Sequence, residues 1–173
     1  MAVLPIIKYG NPILRMKAAP VRELDGRLQR LIDDMVETMQ QAEGIGLAAP
    51  QVGESLALIV VDMSYIEENG KPIAFLNPQI TAQEGESTME EGCLSVPEVK
   101  ELVTRAETIG LKFLTASGEE AETRYSGLLA RVLLHEIDHL NGVLFVDRIS
   151  PVKRKLLSKK LRQIAKQEMN HPK

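Results

Sequence analysis

An α+β fold is the expectation for this chain, with short mixed or antiparallel sheets packed around a central apolar helix and a further helix near the C-terminus. Two observations lead to it. Short β-branched and alternating segments are grouped around helical periodicities, without the regular strand-helix-strand alternation of a parallel doubly wound sheet. One of the helical stretches, between Ser126 and Gly142, is apolar enough to be buried on most of its surface. The 173 residues fit one domain spanning 1–173, and with 44% hydrophobic residues such a chain can bury roughly two-thirds of its unfolded surface without a disulfide or structural metal.

The elements follow in order. Leu28, Leu31, Ile32, Met35, Val36 and Met39 recur at three- and four-residue spacing opposite Arg30, Asp33, Asp34 and Glu37, which predicts an amphipathic helix ending before Gly44. Leu56 to Val61 and Ile73 to Ile80 are β-rich, with Pro78 expected at a strand end or sheet edge. Ile109, Leu111 and Phe113 alternate with Gly110, Lys112 and Leu114, and Ser117-Gly118 turns the chain into Glu120 to Tyr125, as in a hairpin. Ser126 is placed to cap the apolar helix and Gly142 to end it, with Leu128, Val132, His135, Glu136 and His139 along one side. A basic helix follows Pro151 and runs over 151–169, with Leu157, Leu161 and Ile164 on one stripe.

Charge and composition narrow the function. The net charge of −3 argues against a basic nucleic-acid wrapper, so no sequence-specific nucleic-acid binding is expected. Neither a Gly-x-Gly-x-x-Gly run nor a Gly-x-x-x-x-Gly-Lys-Ser/Thr run is present. The single cysteine, Cys93, allows no internal disulfide and points to a reducing compartment. The longest apolar run, Leu56 to Val61, is far short of a bilayer span, and the first residues lack a signal-peptide pattern. A cytoplasmic protein without membrane contact is expected.

His135-Glu136-Ile137-Asp138-His139 is the strongest local signal. Residues four apart lie one helical turn apart, so two imidazoles can converge on one ion with Glu136 beside them. A pair of satisfied core histidines is the plain alternative. Two histidines need a third protein ligand, with an open position for water if the site is catalytic. His171 is two residues from the end of the sequence, a poor place for a ligand. Cys93, in Glu91-Gly92-Cys93-Leu94-Ser95-Val96-Pro97, is the better candidate, with Pro97 expected to halt the extended segment.

Three segments together, Gly44-Ile45-Gly46-Leu47-Ala48-Ala49-Pro50-Gln51, Glu91-Gly92-Cys93-Leu94-Ser95 and His135-Glu136-Ile137-Asp138-His139-Leu140, resemble the signatures of the peptide deformylase family in its bacterial form. The resemblance runs from Asn11-Pro12-Ile13-Leu14-Arg15 through the C-terminal helix. One departure is Leu134, where the family commonly has Gln. The resemblance implies a metal-dependent hydrolase of protein biosynthesis that removes the N-formyl group from the N-terminal methionine of new polypeptides during translation, releasing formate.

It implies Fe2+ as the cofactor, with Zn2+, Ni2+ or Co2+ as substitutes, on the ligands Cys93, His135 and His139. Glu136 would carry the proton, while the Gln51 amide and the Leu94 backbone N–H would stabilise the oxyanion. The Gly44 to Leu47 backbone and the strand leading to Glu91 would hold the substrate. Ile45, Leu128, Leu129 and Val132 would form the methionine pocket, and Arg105 would orient Glu91. Lys153, Arg154, Lys155, Lys159, Lys160, Arg162 and Lys166 make the last helix suited to anionic partners, and the resemblance implies that it docks on the ribosome. The rival expectations are a cysteine hydrolase using Cys93, a general metallopeptidase acting on unformylated peptides, and a ribosome-associated metal module without catalysis.

Overall fold

The computed structural model describes residues 2–170; His171, considered above as a ligand, lies outside the described residues. Helix α1 (Gly26–Gln41) is followed by β1 (Gly46–Ala48), β2 (Leu58–Asp62), β3 (Pro72–Glu84), β4 (Ser87–Cys93), β5 (Val96–Arg105), β6 (Thr108–Leu114) and β7 (Glu120–Ser126). Three α-helices follow among the described residues: α2 (Gly127–Leu140), α3 (Pro151–Leu156) and α4 (Ser158–Met169). The expected α+β architecture is present. Every paired strand is antiparallel, in a five-stranded sheet of order β1-β2-β3-β6-β7 and a separate two-stranded sheet of β4 and β5.

The large sheet is sandwiched between two helices, and β2 shows why. Its five residues Leu-Ile-Val-Val-Asp are all buried, as a strand covered on both faces requires. Leu58 and Val60 pack with Leu28, Ile32, Met35 and Met39 of α1. Ile59 and Val61 point the opposite way, joining Phe75, Ile109, Leu111 and Phe113 against Leu129, Leu133 and Ile137 of α2. A third core, built from Val96, Val99, Val103, Phe145, Leu161 and Ile164, joins the β4-β5 hairpin to the C-terminal helices, and Cys93 packs against it. Helix α2 is thus enclosed on nearly all sides, with every residue from Leu129 to Leu140 buried.

Several expectations are corrected. Of the two expectations for Pro78, the strand end is corrected and the edge position holds: β3 continues through it at a bulge, where Asn77 adopts φ 50° and the register shifts between Leu76 and Gln79. β2 covers β3 only as far as Leu76, so the missing N–H of Pro78 falls where that ladder has ended. Pro97 does not halt the chain either. It lies in β5, within the segment 97–99 that bulges between the pairs Cys93–Val96 and Gly92–Lys100. Ser126 occupies the N-cap of α2, yet its side chain makes no cap bond and pairs instead with the Thr108 hydroxyl at 2.9 Å. The C-terminal helix is divided at Leu157 into α3 and α4. Gly142 follows the end of α2 with φ +74°, and a Cβ there would sit 2.5 Å from the Arg15 carbonyl oxygen, so only glycine lets the two segments meet.

The α2 face of the sheet carries a testable share of the stability. Phe75 is fully buried, with ring centroids 4.7 Å from Phe113 and 6.2 Å from Tyr125. Phe75→Ala is expected to cost about 3–5 kcal/mol in denaturant unfolding, whereas Leu102→Ala, at a half-exposed position, should change stability by at most about 0.5 kcal/mol.

Candidate active site

Two structural units supply the site. The β4-β5 hairpin reverses through Leu94 and Ser95 and carries Glu91 and Cys93. Helix α2 carries His135, Glu136 and His139. They meet so that the ligand atoms of Cys93, His135 and His139 all lie within 4.8 Å of one another. The Cys93 Sγ is 3.3 Å from the His139 Nε2. A tetrahedral ion with sulfur at about 2.3 Å and nitrogen at about 2.0–2.1 Å would hold such a pair roughly 3.6 Å apart, so the donor set fits a divalent metal.

The second ring nitrogens are set by different surroundings. His135 Nδ1 is 2.8 Å from Glu91 Oε1, leaving its Nε2 for the site. His139 Nδ1 is buried without a hydrogen-bond partner among the described residues. Burial works against charging His135, but hydrogen bonds to Cys93 and Glu91 raise its pKa well above the ordinary value in the metal-free protein. His139 is held well below, by burial first and then by the charges of His135 and Arg105. Ligation requires neutral imidazole, a state that the surroundings of His139 already favour.

Glu91 anchors the site from the hairpin side. Burial alone would push its pKa up, but hydrogen bonds from His135 and Arg105 hold it down at about 2. Arg105 binds it through two nitrogens, at 2.6 and 2.9 Å, and uses its third on Asp138 at 2.9 Å. Asp138 also receives Arg148. Arg131 adds a second cation to Glu91 at 2.6 Å. Such close pairing is what makes Arg131, His135 and Asp138 tolerable on one buried helix.

Glu136 has no such partner among the described residues. Its Oε1 is buried and unbonded, and burial, with His135 opposing and Glu91 adding, raises its pKa to about 7. Gly46 lies against it: a Cβ there would meet Glu136 Oε2 at 3.0 Å and Val132 Cγ1 at 2.9 Å, so a side chain would wedge β1 away from the carboxylate. Gln51 is fully buried in the short 3-10 turn after β1. Its Oε1 accepts from the Ala48 N–H at 2.9 Å, and its Nε2 donates to Ser95 Oγ at 3.0 Å and lies 3.6 Å from Cys93 Sγ. These bonds place its amide beside the thiol and the Leu94 turn.

A groove of about 550 Å3 opens onto these groups, a volume suited to a small ligand or the end of a peptide. Gly44, Ile45, Gly46, Gln51, Glu91, Cys93, Leu94, Leu128, Val132, His135 and Glu136 line it. Leu129, expected at its wall, packs instead into the core between α2 and the sheet, one residue and about 100° around the helix from Leu128. The Leu47 side chain points into the core with α1, while its backbone belongs to β1. Arg105 reaches the site through Glu91. Leu134 is buried on a separate cleft of about 300 Å3, among Arg105, Asp138 and Arg148.

Arg131, Ser95, Asp138 and Arg148 were not anticipated. Arg131 was detectable in principle, because a cation four residues before His135 in an otherwise apolar helix must be buried and therefore paired. Asp138, inside the histidine motif, carried a similar signal. Ser95 and Arg148 are recognisable only once the chain is folded.

Comparison with known proteins agrees with this geometry. The sequence model of the polypeptide deformylase family matches residues 3–155. The peptide deformylase of Thermodesulfovibrio yellowstonii is 52% identical over 162 residues, covering 94% of this chain and 98% of that protein. That of Syntrophobacter fumaroxidans is 50% identical over 167 residues, covering 96% and 98%. Among solved structures, a peptide deformylase from Legionella pneumophila superposes with a TM-score of 0.88 at 44% identity, covering 99% of this chain and 100% of that one. One from Synechococcus elongatus in complex with actinonin gives 0.85 at 41%, covering 91% and 87%. With a family match over most of its length and half of its residues shared with such relatives, the chain belongs to the polypeptide deformylase family.

Proposed function

We propose that the groove binds the N-terminal formyl-methionine of newly synthesised polypeptides and that the site hydrolyses the formyl group, releasing formate. The observation that carries this reading is the convergence of one thiol and two imidazoles beside a buried, unpaired carboxylate in an open groove. Residues 1–173 act as one catalytic domain, with 151–169 as its basic C-terminal part. Cys93, His135 and His139 are the metal ligands. When bound, the ion lowers the pKa of water and polarises the formyl carbonyl. A thiolate with two imidazoles suits borderline divalent ions; we take Fe2+ as the native one, with Zn2+, Ni2+ or Co2+ able to replace it.

Glu136 moves the proton. It accepts one proton from the attacking water and delivers it to the peptide nitrogen as the carbon–nitrogen bond breaks, which restores the carboxylate. The water oxygen leaves in formic acid, whose ionisation releases the second proton. The Gln51 Nε2 and the Leu94 backbone N–H donate to the carbonyl oxygen as its charge grows. Ile45, Leu128 and Val132 receive the methionine side chain. The peptide lies extended along Gly44 to Leu47 and the strand leading to Glu91, adding a strand through main-chain bonds.

The basic helices would dock this activity near emerging chains on the ribosome. Of their seven cations, Lys153, Arg154 and Lys160 pair with Glu101, Asp147 and Glu98. Lys155, Lys159, Arg162 and Lys166 have no such partner among the described residues and supply the docking charge. No helix of the described residues is long and apolar enough to cross a membrane, and a cytoplasmic location follows from the substrate.

Three measurements test this reading. Glu136→Ala, assayed anaerobically for formate release from a formyl-methionyl peptide, should lose about 10²–10⁴-fold in kcat while retaining one metal per chain; lost metal with the lost rate would make Glu136 a ligand instead. Chelation should abolish turnover, and Fe2+, Co2+ or Ni2+ should restore it; a hydrolase built on Cys93 and His139 would keep its activity through chelation. Reversing Lys155, Lys159, Arg162 and Lys166 to Glu should weaken co-sedimentation with ribosomes while kcat/KM on a short peptide is unchanged. Equal co-sedimentation would remove the docking role.

A further inference from the structure

The metal ligands are divided between two bodies. Cys93 ends β4, whose hairpin is a separate sheet with no ladder bond to the five-stranded one, whereas His135 and His139 belong to α2, packed against that larger sheet. Side chains must therefore set the distance between the two bodies. Arg131, one turn before His135 and with its side chain 5% exposed, has the contacts to do so. Its Nη1 donates to Glu91 Oε2 at 2.6 Å and to the Val103 carbonyl at 2.9 Å. Its Nη2 donates to the Ser87 carbonyl at 2.7 Å and the Ser87 hydroxyl at 2.9 Å. One guanidinium thus grips both strands of the hairpin, while Glu91, two residues from Cys93, also bonds His135.

On the reading of Cys93, His135 and His139 as metal ligands, we propose that Arg131 is a positioning residue that clamps the cysteine-bearing hairpin to the histidine-bearing helix and so holds the three donors at metal-binding distance. A planar fork with several donors can satisfy four acceptors on two strands; a lysine ammonium on a flexible stem cannot reproduce that spread. Partners that orient metal ligands typically contribute about 10–100-fold to metal affinity. Arg105, on β5, holds the same carboxylate and also reaches Asp138 of α2 at 2.9 Å, a side-chain tie between the two bodies that engages no hairpin backbone. The bridge from α2 to the hairpin backbone belongs to Arg131.

The test is a competition titration of the full chain with Co2+ under anaerobic conditions, followed by the sulfur-to-cobalt and ligand-field absorption. Arg131→Met should bind Co2+ at least about tenfold more weakly, with a weakened or shifted sulfur-to-cobalt band. Leu133→Ala, a fully buried change on the same helix outside this network, should lower thermal stability but leave affinity within about twofold and the spectrum unchanged. Rescue is the third readout, since Arg131→Lys should lie between wild type and Arg131→Met, and it carries the test if Arg131→Met does not fold. Wild-type affinity and spectrum in the Arg131 variants, or equal weakening in Leu133→Ala, would overturn the clamp. Failure of the wild-type chain to bind one Co2+ would instead overturn the metal-site reading beneath it.

Discussion

A buried helix that carries charge must find its counter-charges on other elements, and this constraint governs the arrangement around α2. Arg131, His135, Glu136, Asp138 and His139 are all at most 8% exposed, a burden that an apolar environment tolerates only with close partners. Glu91 and Arg105 come from the hairpin, Ser87 and Val103 offer oxygens to Arg131, and Arg148 arrives from beyond the helix end. The two carboxylates Glu91 and Asp138 are shared among three guanidinium groups, and each carboxylate receives two of them. Glu136 is the exception. Among the described residues it is the one carboxylate of the helix with an unbonded buried oxygen, Oε1, and on the proposed reading it lies where chemistry needs a carboxylate able to gain and lose a proton.

The parts of the fold that follow simple periodicity were legible in the sequence. Helix α1, the fully buried β2 and the β6-β7 hairpin are each set by local spacing and turn residues. The β4-β5 hairpin was not foreseen, and Val96, Val99 and Val103 show why. They are buried at spacings of three and four, a helical signature, because the bulge over 97–99 displaces the strand's inward face. The continuity of β3 through Pro78 likewise depends on where the neighbouring ladder happens to stop.

At the site, residue types with unmistakable chemistry were legible while their supports were not. Cys93, His135 and His139 stand out because thiols and imidazoles are scarce in this chain, and their convergence now has distances attached. Arginines and serines are common on any surface, so Ser95 and Arg148 gave no signal before their surroundings were known, and Arg131 only the weaker one of a cation inside an apolar helix. Leu128 and Leu129 illustrate a further limit: adjacent leucines on a helix look interchangeable in a sequence, yet one lines the groove and the other fills the core.

The brevity of β1 has a consequence of its own. An unpaired sheet border ordinarily invites another chain to stack on it, and proteins shield long borders for that reason. Here the border strand has three residues, Gly46–Ala48, roughly 10 Å of backbone, recessed beside Glu136 and Val132. On the proposed reading a peptide end borrows it, while a template of three residues is too short to nucleate an assembly. On that reading, the same economy of length confines the recognition of a guest to its first few residues.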